Sequence, residues 1–129
     1  MACVLDASAL LAFLSKEPGQ QIVADAIDEG AAACVGNLAE VITVLIRGGF
    51  TADEAVEVVS DLSVTRFDLD FDLSARCGVL FADTRSAGLS LGDRMCLALA
   101  IREGLPALTA DRAWSAIAPA VGAAVNLIR

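Results

Sequence analysis

The segment ACVLD at residues 2–6 consists of an apolar run that ends in an acid, and the next segment, ASALLAFL at residues 7–14, is rich in helix-forming side chains. A short, uninterrupted apolar run is typical of a parallel strand, because such a strand is covered on both faces. The two segments therefore predict a first strand that leads directly into a helix, with Asp6 at the junction.

The same alternation of short apolar runs and longer helical patterns continues along the chain. It predicts further strands at residues 32–35, 63–67, 107–109 and 123–128, and helices at residues 20–29, 36–46, 51–62, 68–87 and 91–103, with a short one around Trp114. Strands that alternate with helices form a parallel sheet through right-handed crossovers. We predict an α/β fold: a single domain over residues 1–129, built as a three-layer α/β/α sandwich around four to five short parallel strands.

Within the helix that begins at Thr51, the spacing predicts a capping box with Glu54 and a buried stripe of Val56, Val59 and Leu62. The chain as a whole has 129 residues, of which 57% are hydrophobic and only 20% charged. This composition is sufficient for one compact core without disulfide or metal cross-links.

Several classes of chemistry are excluded by missing residues. The chain contains no histidine and no tyrosine, so a Ser-His or Cys-His nucleophile is ruled out. It has neither a GxxxxGK[ST] phosphate loop nor a GxGxxG fingerprint. The four cysteines form no CxxC pair and no zinc-ligand spacing, so we expect small buried side chains in a reducing compartment.

The N-terminal segment lacks the basic start of a secretion signal, and the longest charge-free stretch, residues 113–128, is interrupted by proline, glycine and asparagine. We therefore expect a cytoplasmic protein without a membrane anchor. The formal net charge of −8 argues against a nucleic-acid substrate unless several acids are gathered around divalent cations.

Four carboxylates stand at strand ends or helix starts, next to apolar runs: Asp6, Glu40, Asp93 and Asp111. Taken singly, each is explained as a helix cap or as a favourable charge at a helix N-terminus, and Asn37 with Glu40 is close to a capping box. Asp6 and Asp111 also follow strands of one parallel sheet, whose carboxyl ends form the ligand edge.

If the four acids converge, their repulsion requires a cation, and all-oxygen ligands select Mg²⁺ or Mn²⁺. Metal-assisted phosphodiester hydrolysis then becomes the natural reaction. Ser8 and Thr109 each lie two residues from an acid and are candidate supporting hydroxyls, although ordinary helix-start or strand-end roles explain them as well. Arg94 and Arg112 follow two of the acids and are candidate phosphate contacts, with surface ion pairs as the plainer interpretation.

Four segments of the chain together resemble the PIN-domain ribonucleases, and among them the short VapC-type toxins of toxin-antitoxin pairs. The segments are VLDASA at residues 4–9, NLAEV at residues 37–41, LGDRMCLALA at residues 91–100 and LTAD at residues 108–111. They occur in the order and spacing of that family, and the resemblance extends over essentially the whole chain.

The resemblance implies that Asp6, Glu40, Asp93 and Asp111 form a pocket for Mg²⁺ or Mn²⁺ and that the protein cleaves RNA endonucleolytically. It further implies a cognate antitoxin that neutralises the enzyme, a toxin homodimer, and a heterotetramer or larger assembly of the two proteins. Ser8 and Thr109 become the supporting polar groups of the pocket.

Three other functions remain open. The same pocket would serve a housekeeping ribonuclease in RNA processing. A phosphoacceptor module would instead use one Asp, but such modules pair it with a lysine late in the chain, and the only lysine here is Lys16. A non-catalytic binding scaffold is the third alternative, and the presence of all four acids argues against it.

Overall fold

The protein is described by a computed structural model that covers all 129 residues and contains five strands and eight α-helices. The strands are β1 (Cys3–Leu5), β2 (Ala31–Cys34), β3 (Thr65–Phe67), β4 (Ala107–Thr109) and β5 (Val125–Leu127). The helices are α1 (Ala7–Leu14), α2 (Gln20–Glu29), α3 (Val35–Arg47), α4 (Ala52–Ser60), α5 (Phe71–Val79), α6 (Phe81–Thr84), α7 (Leu91–Glu103) and α8 (Trp114–Val121). A 3₁₀ turn, Arg85–Ala87, follows α6.

The five strands form one parallel sheet in the order β3-β2-β1-β4-β5. The central strand is β1, in which Val4 is paired with Ala32 of β2 on one side and with Ala107 of β4 on the other. The chain winds outwards from β1 in one direction through β2 and β3, and then returns to build β4 and β5 in the other direction. The point where the winding reverses therefore lies between the carboxyl ends of β1 and β4.

Successive residues of each strand face opposite layers of helices. Leu5 and Leu108 belong to a core formed with α1, α2, α3 and α4. Val4 and Ala107 belong to a second core, formed with α5, α7 and α8, that includes the fully buried Trp114. Both faces of the sheet are covered, which explains why the strands are continuous apolar runs. The predicted α/β class with a three-layer arrangement is confirmed.

Residues 68–87 do not form the single helix that the spacing predicts. Asp70 caps α5, since its Oδ1 accepts a hydrogen bond of 2.8 Å from the backbone nitrogen of Leu73. The helix ends at Val79, and the segment continues as α6 and the 3₁₀ turn. Gly78, the second-to-last residue of α5, has a low helix propensity, which weakens the helical pattern at this point. The Leu80 nitrogen still donates to the Arg76 carbonyl at 3.3 Å, so the chain keeps a helical course into α6.

The capping box of α4 is present, since Thr51 and Glu54 bond to each other's backbone nitrogen. The predicted buried stripe is wrong at Val56, which is 52% exposed. Val59 and Leu62 are buried as predicted, and the buried residues within α4 itself are Ala55 and Val59. These two residues are four positions apart and share one helix face, whereas Val56 lies beside that face.

All four cysteines are buried and unpaired, as expected for small core side chains. None of the eight helices combines the length and the apolar character that a membrane span requires.

Candidate functional site

The site lies at the carboxyl ends of β1 and β4, where the winding of the sheet reverses. In open α/β sheets this edge is the usual place for a ligand, because the loops after the two strands diverge and leave a crevice. Asp6 is the first residue after β1, and its backbone nitrogen donates to the Leu108 carbonyl of β4 at 3.2 Å. The Asp6 side chain is held in this crevice and is only 3% exposed.

The Asp6 carboxylate accepts three hydrogen bonds from protein groups. Oδ1 accepts from the Ser8 hydroxyl at 2.7 Å and from the Ala9 backbone nitrogen at 2.8 Å, and Oδ2 accepts from the Thr109 hydroxyl at 2.6 Å. The bond to Ala9 makes Asp6 the N-cap of α1. The same carboxylate therefore caps α1 and belongs to the candidate site. The hydrogen bonds from Ser8 and Thr109 fix its orientation.

The two hydroxyls also join the loop after β1 to the loop after β4. Ser8 Oγ accepts from the Ala110 nitrogen at 2.9 Å, and Thr109 Oγ1 accepts from the Asp111 nitrogen at 3.0 Å. The Asp111 side chain is exposed, and its Oδ1 accepts from the Ala113 nitrogen at 3.0 Å. Asp111 is thus linked to Asp6 through its backbone, while its carboxylate caps the turn that follows.

Asp93 is held in the first turn of α7 by a capping box with Ser90. The Ser90 backbone nitrogen donates to Asp93 Oδ2 at 2.9 Å, and the Asp93 nitrogen donates to Ser90 Oγ at 3.2 Å. This helix packs against β1, β2 and β4, so its N-terminus stands beside the carboxyl end of the sheet. The bond to Ser90 fixes the direction of the Asp93 side chain.

Glu40 belongs to α3 and approaches α7 at Gly92. An added Cβ at Gly92 would overlap the Glu40 carboxylate, so this carboxylate lies directly against the helix turn that carries Asp93. Asn37, one turn earlier on α3, donates from Nδ2 to the Gly92 carbonyl at 2.8 Å. Asn37 is not the helix cap that the sequence suggests, because α3 already begins at Val35 with Cys34 as its N-cap.

The charges of three acids act on one another. Burial raises the pKa of Asp6, and the nearby charge of Asp93 adds to this rise, while the hydrogen bonds from Thr109, Ser8 and Ala9 oppose it. Burial also raises the pKa of Glu40, followed by the charges of Asp93 and Asp6. Asp6, Glu40 and Asp93 therefore form one electrostatic cluster, and Asp111 is not among the charges that act most strongly on it.

The cluster suits a hard divalent cation in donor type and in charge. All its donors are oxygens, and two of its carboxylates are held in surroundings that penalise their negative charge, a penalty that a bound cation relieves. The side chains are not yet arranged as metal ligands, since no group of three Cys, Asp or Glu residues is close enough to hold an ion. Asp93 and Asp111 are instead turned towards backbone nitrogens.

The two arginines next to these acids differ in accessibility. Arg94 is turned towards α5, where its Nη1 donates to the Cys77 carbonyl at 3.1 Å and its guanidinium lies 5.4 Å from the centre of the Phe81 ring. Arg94 therefore joins two helices and makes no surface ion pair. Arg112 is exposed beside Asp111 and remains free to contact a phosphate.

Sequence reasoning overlooked Gly92 as a part of the site. The available signal was a glycine in the first turn of a helix, next to a candidate acid, where a helix-forming residue would be favoured. Such a glycine indicates close approach of another group, but only the packing of α3 against α7 identifies that group as Glu40.

The fold of the whole chain is shared by solved structures. A chain in the DNA-bound VapBC structure from Salmonella typhimurium has a TM-score of 0.78 and 16% sequence identity, and the match covers 100% of this chain and 99% of that one. VapC20 from Mycobacterium tuberculosis, described as a toxin that cleaves the sarcin-ricin loop, has a TM-score of 0.73 and 17% identity over 89% of this chain and 94% of that one. At these identities the likeness shows a shared fold.

A chain of the VapBC-5 structure from Mycobacterium tuberculosis is 26% identical, with a TM-score of 0.62 over 99% of this chain and 98% of that one. No protein of curated function has a matching sequence. The family model for the PIN domain matches residues 3–119, a stretch that runs from the first strand through most of the last helix and includes all four candidate acids. The chain therefore belongs to the PIN-domain family.

Proposed function

We propose that this protein is a divalent-metal-dependent endoribonuclease and the VapC-type toxin of a toxin-antitoxin pair. The observation that supports the proposal is that acids from three separate segments act on one another: the Glu40 carboxylate lies against the α7 turn that carries Asp93, and the Asp93 charge acts on both Glu40 and the buried Asp6. A protein without histidine has few other means of promoting hydrolysis.

In this proposal the cluster, together with Asp111, holds Mg²⁺ or Mn²⁺. Such an ion, when bound, supplies electrostatic stabilisation for in-line hydrolysis of a phosphodiester. The chain's own residues prepare the site: Ser8 and Thr109 hydrogen-bond the ionised form of Asp6 and hold its orientation. Arg112 is the cation of the site that is free to bind a phosphate of the substrate.

The phosphoacceptor alternative is disfavoured by the surroundings of Asp6. No lysine is among the charges that act on Asp6, whereas phosphoacceptor modules pair their Asp with one. Lys16 lies beyond the far end of α1, roughly 12 Å of helix rise from the end that Asp6 caps.

The surface formed by α5, α6 and the start of α7 carries exposed apolar side chains, which supports binding of a protein partner. Phe71 and Val79 are 86% and 78% exposed, and Phe81 and Leu91 are also more than half exposed. Because α5 packs against α6 and α7, these helices offer apolar side chains that a protein partner could cover. Structures that share the fold are toxin-antitoxin complexes, which supports a cognate antitoxin as the partner. The proposal includes a homodimer that joins with the antitoxin in a heterotetramer or larger assembly.

The nuclease proposal is tested with Asp93→Asn, which removes one charge of the cluster and keeps a side chain able to cap α7. Cleavage of end-labelled RNA is measured with Mg²⁺ or Mn²⁺, and with EDTA. We expect Asp93→Asn to lower the cleavage rate by about 100-fold or more and EDTA to abolish cleavage, because both deprive the site of its metal. The matched control is Asp28→Asn, an identical charge change at an exposed position on α2.

Cleavage that persists in excess EDTA, or an Asp93→Asn rate equal to that of Asp28→Asn, would contradict the proposal. Expression in cells without a partner separates a toxin from a housekeeping enzyme. If the protein is a toxin, expression of the wild type causes growth arrest and new RNA 5′ ends, and expression of Asp93→Asn causes neither effect. A processing enzyme gives new 5′ ends without arrest.

A further inference from the structure

Helix α3 and the first turn of α7 lie so close together that two positions in their contact have room for glycine only. A Cβ added at Gly36 of α3 would collide with the Met95 sulfur of α7, and a Cβ added at Gly92 of α7 would overlap the Glu40 carboxylate of α3. Each helix therefore uses a glycine to admit a side chain of the other. At Gly92 the admitted side chain belongs to the acidic cluster.

Gly92 has no conformational reason to be glycine. It lies inside α7, and it is not among the glycines with a positive φ. Glycine at such a position weakens a helix relative to alanine. The observed benefit is the space that Glu40 occupies, one residue away from Asp93.

On the α3 side, Asn37 stabilises the same contact through a hydrogen bond to α7. Its side chain is 1% exposed, and its Nδ2 donates to the Gly92 carbonyl at 2.8 Å. The orientation of the amide is fixed by this bond, because the carbonyl can only accept. The other amide atom, Oδ1, is buried without a partner, so the bond to Gly92 is kept at the cost of an unsatisfied acceptor.

Asn37 and Glu40 are three residues apart on the same face of α3. Both meet α7 at Gly92, since the Asn37 amide bonds to the Gly92 carbonyl and the Glu40 carboxylate fills the space that a side chain at Gly92 would need.

We propose that Gly92 and Asn37 are positioning residues of the acidic site: Gly92 provides the space in which Glu40 approaches Asp93, and Asn37 ties α3 to α7 at that point. The consequence for metal binding rests on the proposed function. Neither residue is assigned a contact with the ion or with RNA.

The first test is Gly92→Ala, with Gly78→Ala as the matched control. Gly78 lies inside α5, and an added Cβ there meets no atom within 4 Å. Alanine favours both helices, so neither variant should lower the melting temperature by more than a degree or two, since the Glu40 carboxylate is the flexible end of a side chain and can move aside. We expect Gly92→Ala to weaken Mn²⁺ binding in isothermal titration calorimetry by about tenfold or more, and Gly78→Ala to leave it unchanged.

The second test combines Gly92→Ala with Glu40→Ala in the metal-free protein. Without the Glu40 carboxylate the added methyl group has free space, so Gly92→Ala should raise the melting temperature more in the Glu40→Ala background than in the wild type. Equal effects in the two backgrounds would overturn the inference. This measurement needs neither metal nor RNA, so it stands even if the proposed nuclease function fails.

Asn37→Ala tests the tie between the helices, with Thr84→Ala as its control. Thr84 is also fully buried and donates one hydrogen bond, to Leu80, but it belongs to α6. Both variants should lower the melting temperature, whereas only Asn37→Ala should weaken Mn²⁺ binding, by about tenfold. If the wild type binds Mn²⁺ and both Gly92→Ala and Asn37→Ala bind it equally well, the positioning role is refuted while the metal site stands.

Discussion

At the scale of single residues, Asp6 is both the N-cap of a helix and a member of the acidic cluster. It begins α1 by accepting from the Ala9 nitrogen, and its two oxygens also accept from the Ser8 and Thr109 hydroxyls. These bonds favour the ionised carboxylate, yet burial and the Asp93 charge raise its pKa. The position is therefore costly for the metal-free protein, as is common where a site is built for a charged ligand.

The cost at Asp6 has a definite dependence on pH. A carboxyl whose pKa is raised by folding binds its proton more tightly in the folded protein, so stability falls as the pH rises from the usual value of 3.8 through the raised one. We expect Asp6→Asn to have the higher melting temperature at pH 7 in the presence of a chelator, because it removes the buried charge. The difference should shrink as the pH is lowered towards 4, as followed by thermal denaturation.

Glu54 provides a control, because its pKa is shifted in the opposite direction to that of Asp6. Hydrogen bonds with Thr51 lower its pKa, so its charged form stabilises the fold above the usual value of 4.5 and that contribution is lost as the pH falls. Glu54→Gln should therefore lower the melting temperature at pH 7 and have a smaller effect at low pH. If the two variants shift in the same direction, the burial argument for Asp6 is wrong.

At the scale of secondary-structure elements, the N-termini of α1 and α7 deliver two acids of the cluster. Asp6 is the N-cap of α1, and Asp93 occupies the third position of α7 within a capping box. Their short side chains are held by backbone nitrogens, which explains why the helix ends can fix carboxylates beside the sheet. Glu40 differs, since it lies in the interior of α3 and depends on the α3-α7 contact for its position.

The chain contains two capping boxes, which allow a matched comparison of helix starts. Ser90→Ala in α7 and Thr51→Ala in α4 each remove a side-chain acceptor from a helix N-terminus. We expect each to lower the free energy of unfolding by about 1 kcal/mol. Urea denaturation measures both, and a loss near zero for Ser90→Ala would mean that the Asp93 side chain does not depend on this box.

At the scale of the whole molecule, the net charge of −8 arises from 17 acidic and 9 basic residues, and ion pairs away from the cluster neutralise part of it. Arg102 pairs with Asp70, Asp72 and Glu103 on the surface, and Arg129 pairs with Glu17. Exposed pairs of this kind contribute little to stability. Asp6, Glu40, Asp93 and Asp111 take part in none of the ion pairs, so no arginine or lysine neutralises the charge that a cation meets there.

The metal proposal therefore predicts a stabilisation of the whole fold by the ion. Mn²⁺ at about 100 times its dissociation constant should stabilise the wild type by about 2.7 kcal/mol, because the unfolded chain does not hold the acids together. Asp93→Asn should show a much smaller increase in melting temperature, and Asp28→Asn an increase equal to that of the wild type. Equal increases in all three proteins would indicate binding of the ion outside the cluster.

Much of the architecture was predictable because it depends on local patterns. Uninterrupted apolar runs predicted β1 and β4 at their observed positions, since strands covered on both faces need no polar side. The segment at residues 68–87 was not predictable in the same way, because its helical spacing is real and the break after Val79 depends on weak local competition and on packing. The stripe of α4 failed at Val56 for a related reason: spacing identifies an apolar face but not its centre.

The sequence by itself determined the fold class, the absence of imidazole chemistry, and which acids stand at strand ends and helix starts, because each of these follows from residue types and their short-range spacing. Only the tertiary structure decided that Asp6, Glu40 and Asp93 act on one another while the Asp111 carboxylate caps its own turn. It alone decided that Arg94 faces α5, and that Gly92 and Asn37 set the approach of α3 to α7. The physical reason is that these contacts join residues far apart in the chain, and their distances depend on how two helices pack, which no local pattern records.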